Sequence, residues 1–236
     1  MTVEETMRAF GIPERSLLWR TLRSPLLGAA TAVSCLGRSI HTGVARQVLL
    51  QLLGEGTLTD GLTYGSAFSG IDTFAAAVEA ELGESWSYVF ASEIEASPRA
   101  ALLQAWGPRG LTICHEDALG EGATTAPYVD LYVTSPECTA HSKRNHARSA
   151  ASQRTSLEAF WKSLGYVRAR HPKVVVVENV NEPSSNGPIT GLLARLEGYS
   201  MESGTLDPTT TAHMPISRER RFWVLRSTVA IGGRNI

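Results

Sequence analysis

Three features are scarce in this sequence of 236 residues, and each scarcity excludes a class of protein. The three cysteines are too few and too widely spaced to build a disulfide framework or a zinc site. No apolar run approaches the roughly 20 residues that a membrane-spanning helix needs. With 22 basic and 23 acidic residues the net charge is −1, so any binding of nucleic acid or membrane requires a local patch.

The first residues, Met1 to Glu5, are acidic and lack the basic and apolar order of a signal peptide. Together with the unpaired cysteines, they predict a protein of a reducing compartment. We therefore expect a cytoplasmic, nucleoid-associated protein, or a nuclear one if the source is eukaryotic. We expect no membrane contact and no bound metal.

The apolar pattern divides the chain in two. Residues 1–61 are predicted to be helical, with a capping box at Thr2 and Glu5 and an amphipathic helix at 44–53. In residues 62–236 strands alternate with helices, which indicates an α/β unit with a mostly parallel, doubly wound sheet and helices on both faces. The predicted strands are 62–68, 86–91, 111–114, 129–134, 174–177 and 221–225, and the predicted helices are 74–82, 97–106, 156–168 and 189–196.

Polar residues follow the first three predicted strands, where open α/β sheets bind ligands. Gly70, in the turn after the first strand, lets the backbone come close to a ligand. Glu93 follows the second strand, where an acidic side chain accepts ribose hydroxyls, and Asp117 follows the third and could accept from an adenine amino group. The turn lacks the Gly-x-Gly-x-x-Gly of dinucleotide binders, which disfavours a nicotinamide-dependent oxidoreductase.

Two later strands deliver a thiol and a carboxyl to the same edge. Cys138 comes soon after Ser135-Pro136, which ends one strand, and Glu178 directly follows the other. The run from His141 to Arg154 is basic and contains no acid, and cationic surroundings favour a reactive thiolate. The other two cysteines lie in apolar surroundings and are expected to be inert.

Six motifs, in this order, resemble those of the DNA (cytosine-5) methyltransferases: Phe68-Ser-Gly-Ile, Ser92-Glu-Ile, Glu116-Asp, Pro136-Glu-Cys, Glu178-Asn-Val and Arg218-Glu-Arg. The resemblance covers nearly all of residues 62–225. It implies a Rossmann-like methyltransferase fold and S-adenosyl-L-methionine as the cofactor. Glu137 stands where the family has proline, and Arg38 stands where a late motif has asparagine.

The resemblance also implies roles for individual residues. Cys138 would add to carbon 6 of cytosine, Glu178 would stabilise charge near ring N3, Arg220 would hold O2 of the base, and Arg218 would brace the thiol loop or a phosphate. The implied cofactor contacts are Phe68, Ser69, Gly70, Ile71, Thr73, Glu93, Ile94, Asp117, Ala118, Arg38 and Ser39. The implied nucleic-acid contacts are Ser142, Lys143, Arg144, Arg148 and Arg154.

Residues 2–13 and 37–45 look like the family's last two motifs, which normally lie at its C-terminus. This order resembles a circularly permuted methyltransferase, in which residues 1–61 pack on the cofactor side. We expect no counterpart of the family's target-recognition domain in these residues. We therefore expect weak and poorly selective DNA binding, with a separate recognition subunit or a homo-oligomer supplying selectivity, as in a restriction-modification or phage-type enzyme.

Two alternatives stay open. The substrate could be cytosine in RNA or in a smaller nucleotide, because the DNA-reading domain is missing. The chain could also be a non-catalytic subunit that binds the cofactor or another methyltransferase. The presence of Cys138, Glu178 and Arg220 argues against a purely structural role, because a scaffold does not need them.

Overall fold

Four helices form the first part of the chain in the computed structural model, which describes residues 1–25, 27–136, 149–214 and 216–229. They are α1 (Val3–Ala9), α2 (Leu17–Leu22), α3 (Ala29–Arg38) and α4 (Thr42–Gly54). The predicted capping box is confirmed: Glu5 N–H donates to Thr2 Oγ1 at 3.1 Å, and Thr2 N–H donates to Glu5 Oε2 at 2.7 Å. None of the helices in the described ranges is long and apolar enough to cross a membrane.

The rest of the chain builds a seven-stranded sheet. Its strands are β1 (Leu62–Ala67), β2 (Trp86–Ser92), β3 (Ile113–His115), β4 (Leu131–Thr134), β5 (Val174–Val180), β6 (Tyr199–Leu206) and β7 (Arg220–Ser227). They lie in the order β3-β2-β1-β4-β5-β7-β6, and β1 to β5 are parallel. The predicted α/β fold with a mostly parallel sheet is confirmed.

One edge of the sheet is antiparallel, because β7 runs opposite to both β5 and β6. The sequence analysis missed β6 altogether. Its residues are mostly exposed or half-buried and include Ser200, Glu202 and Ser203, so they show no apolar alternation. As an edge strand it is held mainly by its pairing with β7, and a weak burial pattern is expected there.

The helices between the strands are α5 (Thr73–Leu82), α6 (Ala96–Trp106), α7 (Glu121–Thr125), α8 (Ala150–Ser163), α9 (Gly165–Arg170), α10 (Pro183–Leu193) and α11 (Pro208–Thr211). The single helix predicted at 156–168 is wrong, because the chain breaks at Leu164 into α8 and α9. The helix predicted at 189–196 begins earlier, with Pro183 in its first turn, where proline loses no helical hydrogen bond.

The N-terminal helices share one hydrophobic core with the sheet. Met7, Leu36 and Leu49 are fully buried in the same cluster as Tyr64 and Phe74, which belong to β1 and α5. A buried hydrogen bond adds to this contact, because the Thr73 hydroxyl donates to the Ile40 carbonyl at 2.6 Å. The first 54 residues are therefore integral to the face of the sheet that they cover.

A buried histidine fixes the start of α4. His41 Nδ1 accepts from Gly43 N–H at 3.1 Å, and its Nε2 lies 3.1 Å from the Ala9 carbonyl, to which it donates in that tautomer. Its ring stacks on Phe10 at 6.1 Å between centroids. Both nitrogens are used only by the neutral ring, and burial lowers the pKa of His41.

This predicts a loss of stability in mild acid. An unfolded histidine has a pKa of about 6.5, so below that pH the unfolded chain takes up a proton that folded His41 resists. The contribution of His41 is present above pH ~6.5 and is lost as the pH falls toward its lower folded pKa. Urea denaturation between pH 5 and 7.5 should show this slope, and His41→Asn should flatten it.

The same variant should lower stability at neutral pH by about 1–3 kcal/mol, because a buried donor or acceptor loses its partner. His213→Asn is the matched control, since His213 is exposed and its left-handed backbone (φ 51°) suits asparagine. An equal slope in wild type and His41→Asn would contradict the assignment.

Candidate active site

A cavity of about 1270 Å³ opens at the carboxyl ends of β1, β2, β4 and β5, and the N-terminal helices form one of its walls. Pockets for single small ligands usually hold about 300–1,000 Å³, so this cavity has room for more than one ligand. Many of the predicted site residues line it: Arg38, Ser39, Phe68, Ser69, Gly70, Thr73, Glu93, Ile94, Asp117, Ala118, Glu178, Arg218 and Arg220. Ile71 does not, because it is buried in the core between the sheet and the N-terminal helices.

Glu93 is an acidic group of this cavity whose two carboxylate oxygens are both held by backbone donors. Its carboxylate accepts hydrogen bonds from the backbone N–H of Gly70 at 2.7 Å and of Glu95 at 2.8 Å. Each oxygen is thereby oriented and keeps a further lone pair for a ligand. Gly70 has a φ of 56°, and no atom of the described residues lies within 4 Å of the place where a Cβ would stand. The site therefore offers an acceptor for vicinal hydroxyls beside an open backbone.

A second carboxylate, Asp72, lies buried beneath this turn. It caps α5 by accepting from Ala75 N–H at 3.0 Å, and it also accepts from the Tyr64 hydroxyl at 2.9 Å and from the Tyr88 hydroxyl. Burial raises the pKa of Asp72, while the hydrogen bonds from Tyr88 and Ala75 oppose that rise. Its own N–H donates to the Ser69 carbonyl at 2.8 Å, so this network fixes the turn that carries Gly70.

The N-terminal segment contributes Arg38 and Ser39 to the wall of the same cavity. Arg38 lies at the end of α3 and pairs with Glu95 in a two-pronged contact, with Nη2 3.0 Å from Oε2. The hydrogen bond from Arg38 lowers the pKa of the Glu95 carboxyl. The Ser39 hydroxyl donates to the Cys35 carbonyl at 2.8 Å.

The other end of the cavity holds an acid and two arginines. Glu178 is buried at the end of β5, and its Oε1 lies 2.9 Å from Arg220 Nε. Burial raises the pKa of Glu178, while the charges of Arg220 and Arg218 and a hydrogen bond from Ser135 oppose the rise. A buried carboxyl group whose pKa is raised is suited to sharing a proton with a ligand, as general acids do.

Arg218 is positioned by contacts from two directions. Its guanidinium carbon lies 5.7 Å from the centre of the Phe10 ring, which belongs to the N-terminal segment. Its backbone N–H donates to Asp207 Oδ2 at 2.9 Å. The arginine is thereby held in the cavity wall by a residue about 208 positions earlier in the chain.

The predicted nucleophile and most of the predicted nucleic-acid contacts lie outside the described residues: Cys138, Ser142, Lys143, Arg144 and Arg148. Pro136, two residues before Cys138, lines the cavity, and its carbonyl accepts from the buried Asn179 side chain at 3.2 Å. Arg154 is exposed near the start of α8, and that helix reaches the cavity with Ser156, Ala159 and Phe160.

The other two cysteines have the properties of unreactive thiols. Burial raises the pKa of Cys35, and it raises the pKa of Cys114 to about 11. At neutral pH neither forms much thiolate, which is the nucleophilic form.

Sequence reasoning did not single out Asp72, Glu95 or Asn179 as site residues. Asp72 carried a usable signal, because an aspartate directly before an apolar helical run is typical of an N-cap. Glu95 and Asn179 carried none, since their partners Arg38 and Pro136 are 57 and 43 residues away.

The Asp72 network generates a stability prediction. Asp72→Ala removes a helix cap, worth about 0.5–2 kcal/mol, and deprives two tyrosine hydroxyls of their acceptor, worth about 0.5–1.5 kcal/mol each. We expect a loss of about 3 kcal/mol in urea denaturation. Tyr64→Phe, which removes one donor and leaves the cap intact, should cost about 1 kcal/mol. Equal losses in the two variants would show that Asp72 does not organise the turn.

Comparisons with known proteins now add to this geometry. A family model described as C-5 cytosine-specific DNA methylase matches residues 62–224. No curated protein sequence matches the chain significantly.

Solved structures with a similar fold include TrmN from Thermus thermophilus, which is 18% identical, with a TM-score of 0.52, over 77% of this chain and 48% of that one. The Dnmt2 methyltransferase of S. pombe is 18% identical, with a TM-score of 0.50, over 73% of this chain and 51% of that one. A DNMT2 variant of Spodoptera frugiperda is 17% identical, with a TM-score of 0.53, over 72% and 51%. The chain thus spans about half the length of these proteins, and at such identities the likeness concerns the fold.

The match of the family model covers more than two thirds of the sequence and contains β1 to β5, together with Glu93, Glu178, Arg218 and Arg220 of the cavity. The fold has the strand arrangement of a Rossmann-like methyltransferase, and the family uses S-adenosyl-L-methionine. The chain belongs to the family of C-5 cytosine-specific DNA methylases.

Proposed function

We propose that this chain transfers a methyl group from S-adenosylmethionine to carbon 5 of cytosine in DNA, through a covalent bond between Cys138 and the base. One observation carries the proposal. A single cavity joins the oriented carboxylate of Glu93, at the end of β2, to the Glu178–Arg220 pair, at the end of β5. Its volume suits a cofactor and a nucleobase side by side.

The residues at the Glu93 end fit the cofactor. Glu93 would accept the ribose hydroxyls, because its two oxygens are oriented by backbone donors and face an open cavity. The exposed apolar side chain of Ile94 lines the same end and offers a surface for the adenine ring. Asp117, whose Oδ1 accepts from Leu119 N–H at 2.8 Å, would accept from the adenine amino group with its other oxygen. When bound, S-adenosylmethionine supplies an electrophilic methyl group.

The residues at the other end fit the base. Cytosine carbon 5 is a weak nucleophile until a thiolate bonds to carbon 6, and Cys138 is the group that would supply that bond. Glu178 would share a proton with ring N3 as charge develops, which its buried position and raised pKa favour. Arg220 keeps the carboxyl in place through its Nε and would donate to O2 of the base from another nitrogen.

The N-terminal wall of the cavity supports a permuted order of the family's motifs. Residues 37–40, which resemble a late motif, line the cavity beside Thr73 and Glu93 although they come first in the chain. We propose that residues 1–61 replace, in space, a segment that other members of the family carry after the catalytic residues.

The function is tested by the transfer of tritium from labelled S-adenosylmethionine to duplex DNA, single-stranded DNA and RNA. We expect label in duplex DNA, at carbon 5 of cytosine. Glu93→Gln should weaken binding of S-adenosylmethionine in calorimetry, whereas Glu116→Gln, at an exposed position of the same edge, should not. Label in RNA alone would redirect the proposal to an RNA substrate, and binding of the cofactor without transfer to any substrate would overturn the catalytic role.

The covalent step predicts a trapped complex. A DNA duplex with 5-fluorocytosine at a methylated position should remain attached to the wild-type chain in a denaturing gel, because the fluorine blocks release. Cys138→Ser should abolish trapping, and Cys35→Ser and Cys114→Ser should retain it. Trapping by Cys138→Ser would exclude this cysteine as the nucleophile.

The purified chain is also expected to show little preference for a DNA sequence. Phosphate contacts by the basic run 143–154 give non-specific dissociation constants of about 10⁻⁴–10⁻⁶ M at physiological salt. Base discrimination needs side chains that reach into a groove, and each good pair contributes about 1–3 kcal/mol. We expect the purified chain to methylate slowly, with strong salt sensitivity and little sequence preference in bisulfite sequencing, until a recognition subunit or a second copy is added. Efficient methylation of one defined sequence by the chain alone would contradict this.

A further inference from the structure

The ion pair between Arg38 and Glu95 lies at the edge of the cavity, where the cavity meets solvent. Both side chains line the cavity, yet both are about half exposed, at 57% and 49%, which places them at its rim. The guanidinium meets the carboxylate with two nitrogens, one to each oxygen. The two residues come from opposite walls, because Arg38 ends α3 and Glu95 precedes α6. The pair therefore bridges the mouth of the cavity.

The ends of α3 and α6 stabilise the charges of Arg38 and Glu95. A cation is stabilised at the C-terminal end of a helix and an anion at the N-terminal end, and Arg38 and Glu95 occupy these positions in α3 and α6. Two-pronged geometry adds to the strength of an arginine–carboxylate contact. The pair is thus stronger than the average exposed ion pair, which contributes little.

Each member of the pair adjoins a residue of the cofactor end. Glu95 donates its backbone N–H to the Glu93 carboxylate at 2.8 Å, and Ser39 follows Arg38 directly. The bridge therefore lies next to the part of the cavity that Glu93 and Ser39 border.

We propose that Arg38 and Glu95 form a clasp that closes over bound S-adenosylmethionine and slows its release. Arg38 acts on the cofactor through Glu95, as a positioning residue. The inference rests on the cofactor site of the proposed function, but it concerns retention of the cofactor and not the methyl transfer.

The clasp makes a quantitative prediction. An exposed but two-pronged pair at two favourable helix ends should slow release by about three- to tenfold. Arg38→Ala and Glu95→Ala should each release tritiated S-adenosylmethionine faster by that factor in a chase with unlabelled cofactor. The double variant should release it no faster than either single variant, because each substitution removes the same bridge. High salt should accelerate release from wild type and leave Arg38→Ala nearly unchanged.

The matched control is Arg23→Ala, which breaks the Arg23–Glu4 pair at 3.2 Å. That pair has similar exposure, 58% and 40%, and links α1 to the residue that ends α2, but neither residue lines the cavity. It should change thermal stability about as much as Arg38→Ala and leave cofactor release unchanged. The exchanged pair Arg38→Glu with Glu95→Arg should release cofactor more slowly than either of its single variants, in which like charges face each other.

Three results would overturn the clasp. Release could be unchanged in Glu95→Ala while faster in Arg38→Ala, which would assign Arg38 a direct contact with the cofactor. The effects of the two alanine variants could multiply in the double variant, or the exchanged pair could fail to slow release. A wild-type chain that binds no S-adenosylmethionine would overturn both proposals, whereas binding with clasp-dependent release but no methyl transfer would support the clasp and overturn the catalytic function.

Discussion

Parallel strands impose the constraint on which this site depends. Because β1, β2, β4 and β5 run in the same direction, the loops that follow them all leave at one edge, and the sheet order reverses between β1 and β4. A crevice at such a reversal is where open α/β sheets bind ligands. Glu93 and Glu178 are 85 residues apart in sequence, yet this geometry places both in the wall of one cavity.

The first 54 residues complete this cavity because they share their core with the sheet. Thr73 and Ile40 are joined by a buried hydrogen bond, and Phe10 holds Arg218 at the opposite end of the cavity. The N-terminal helices thus contact both the cofactor end and the base end. The cavity therefore keeps its shape only while these helices stay packed on the sheet. A substitution that loosens them, such as one at His41, would lower activity through a loss of stability.

Much of the fold could be predicted because its signals are local. The valine run of β5 and the turn signals after β1 and β2 each lie within a few residues, and the structure has strands and turns there. The strand β6 could not be predicted, since its stability comes from pairing with β7 and its polar side chains face solvent. The break between α8 and α9 did have a local signal, because Gly165 directly follows Leu164 and a glycine is typical just past the end of a helix.

The residues of the candidate site also fall into two groups: those with a local signal in the sequence and those whose position depends on distant contacts. Residues at strand ends, such as Glu93 and Glu178, could be predicted from position and residue type, because the edge of a parallel sheet collects them. Their partners could not. Arg38 was predicted to face the cofactor, and its contact with Glu95 depends on how α3 is seated against the sheet. The roles assigned to Cys138 and to the basic run after it remain predictions.

The register between β5 and β7 has a consequence for the order in which the protein becomes functional. Val180 lies opposite Arg220 and Glu178 opposite Phe222, so Glu178 and Arg220 are diagonal neighbours on one face. A slip of one residue would turn the arginine to the other face. On a ribosome, the segment with Glu178 emerges about 40 residues before its counter-charge. Until β7 is synthesised and inserted beside β5, the carboxyl group either stays hydrated or takes up a proton. The acid end of the cavity is therefore completed late in synthesis, after the cofactor end has all of its residues.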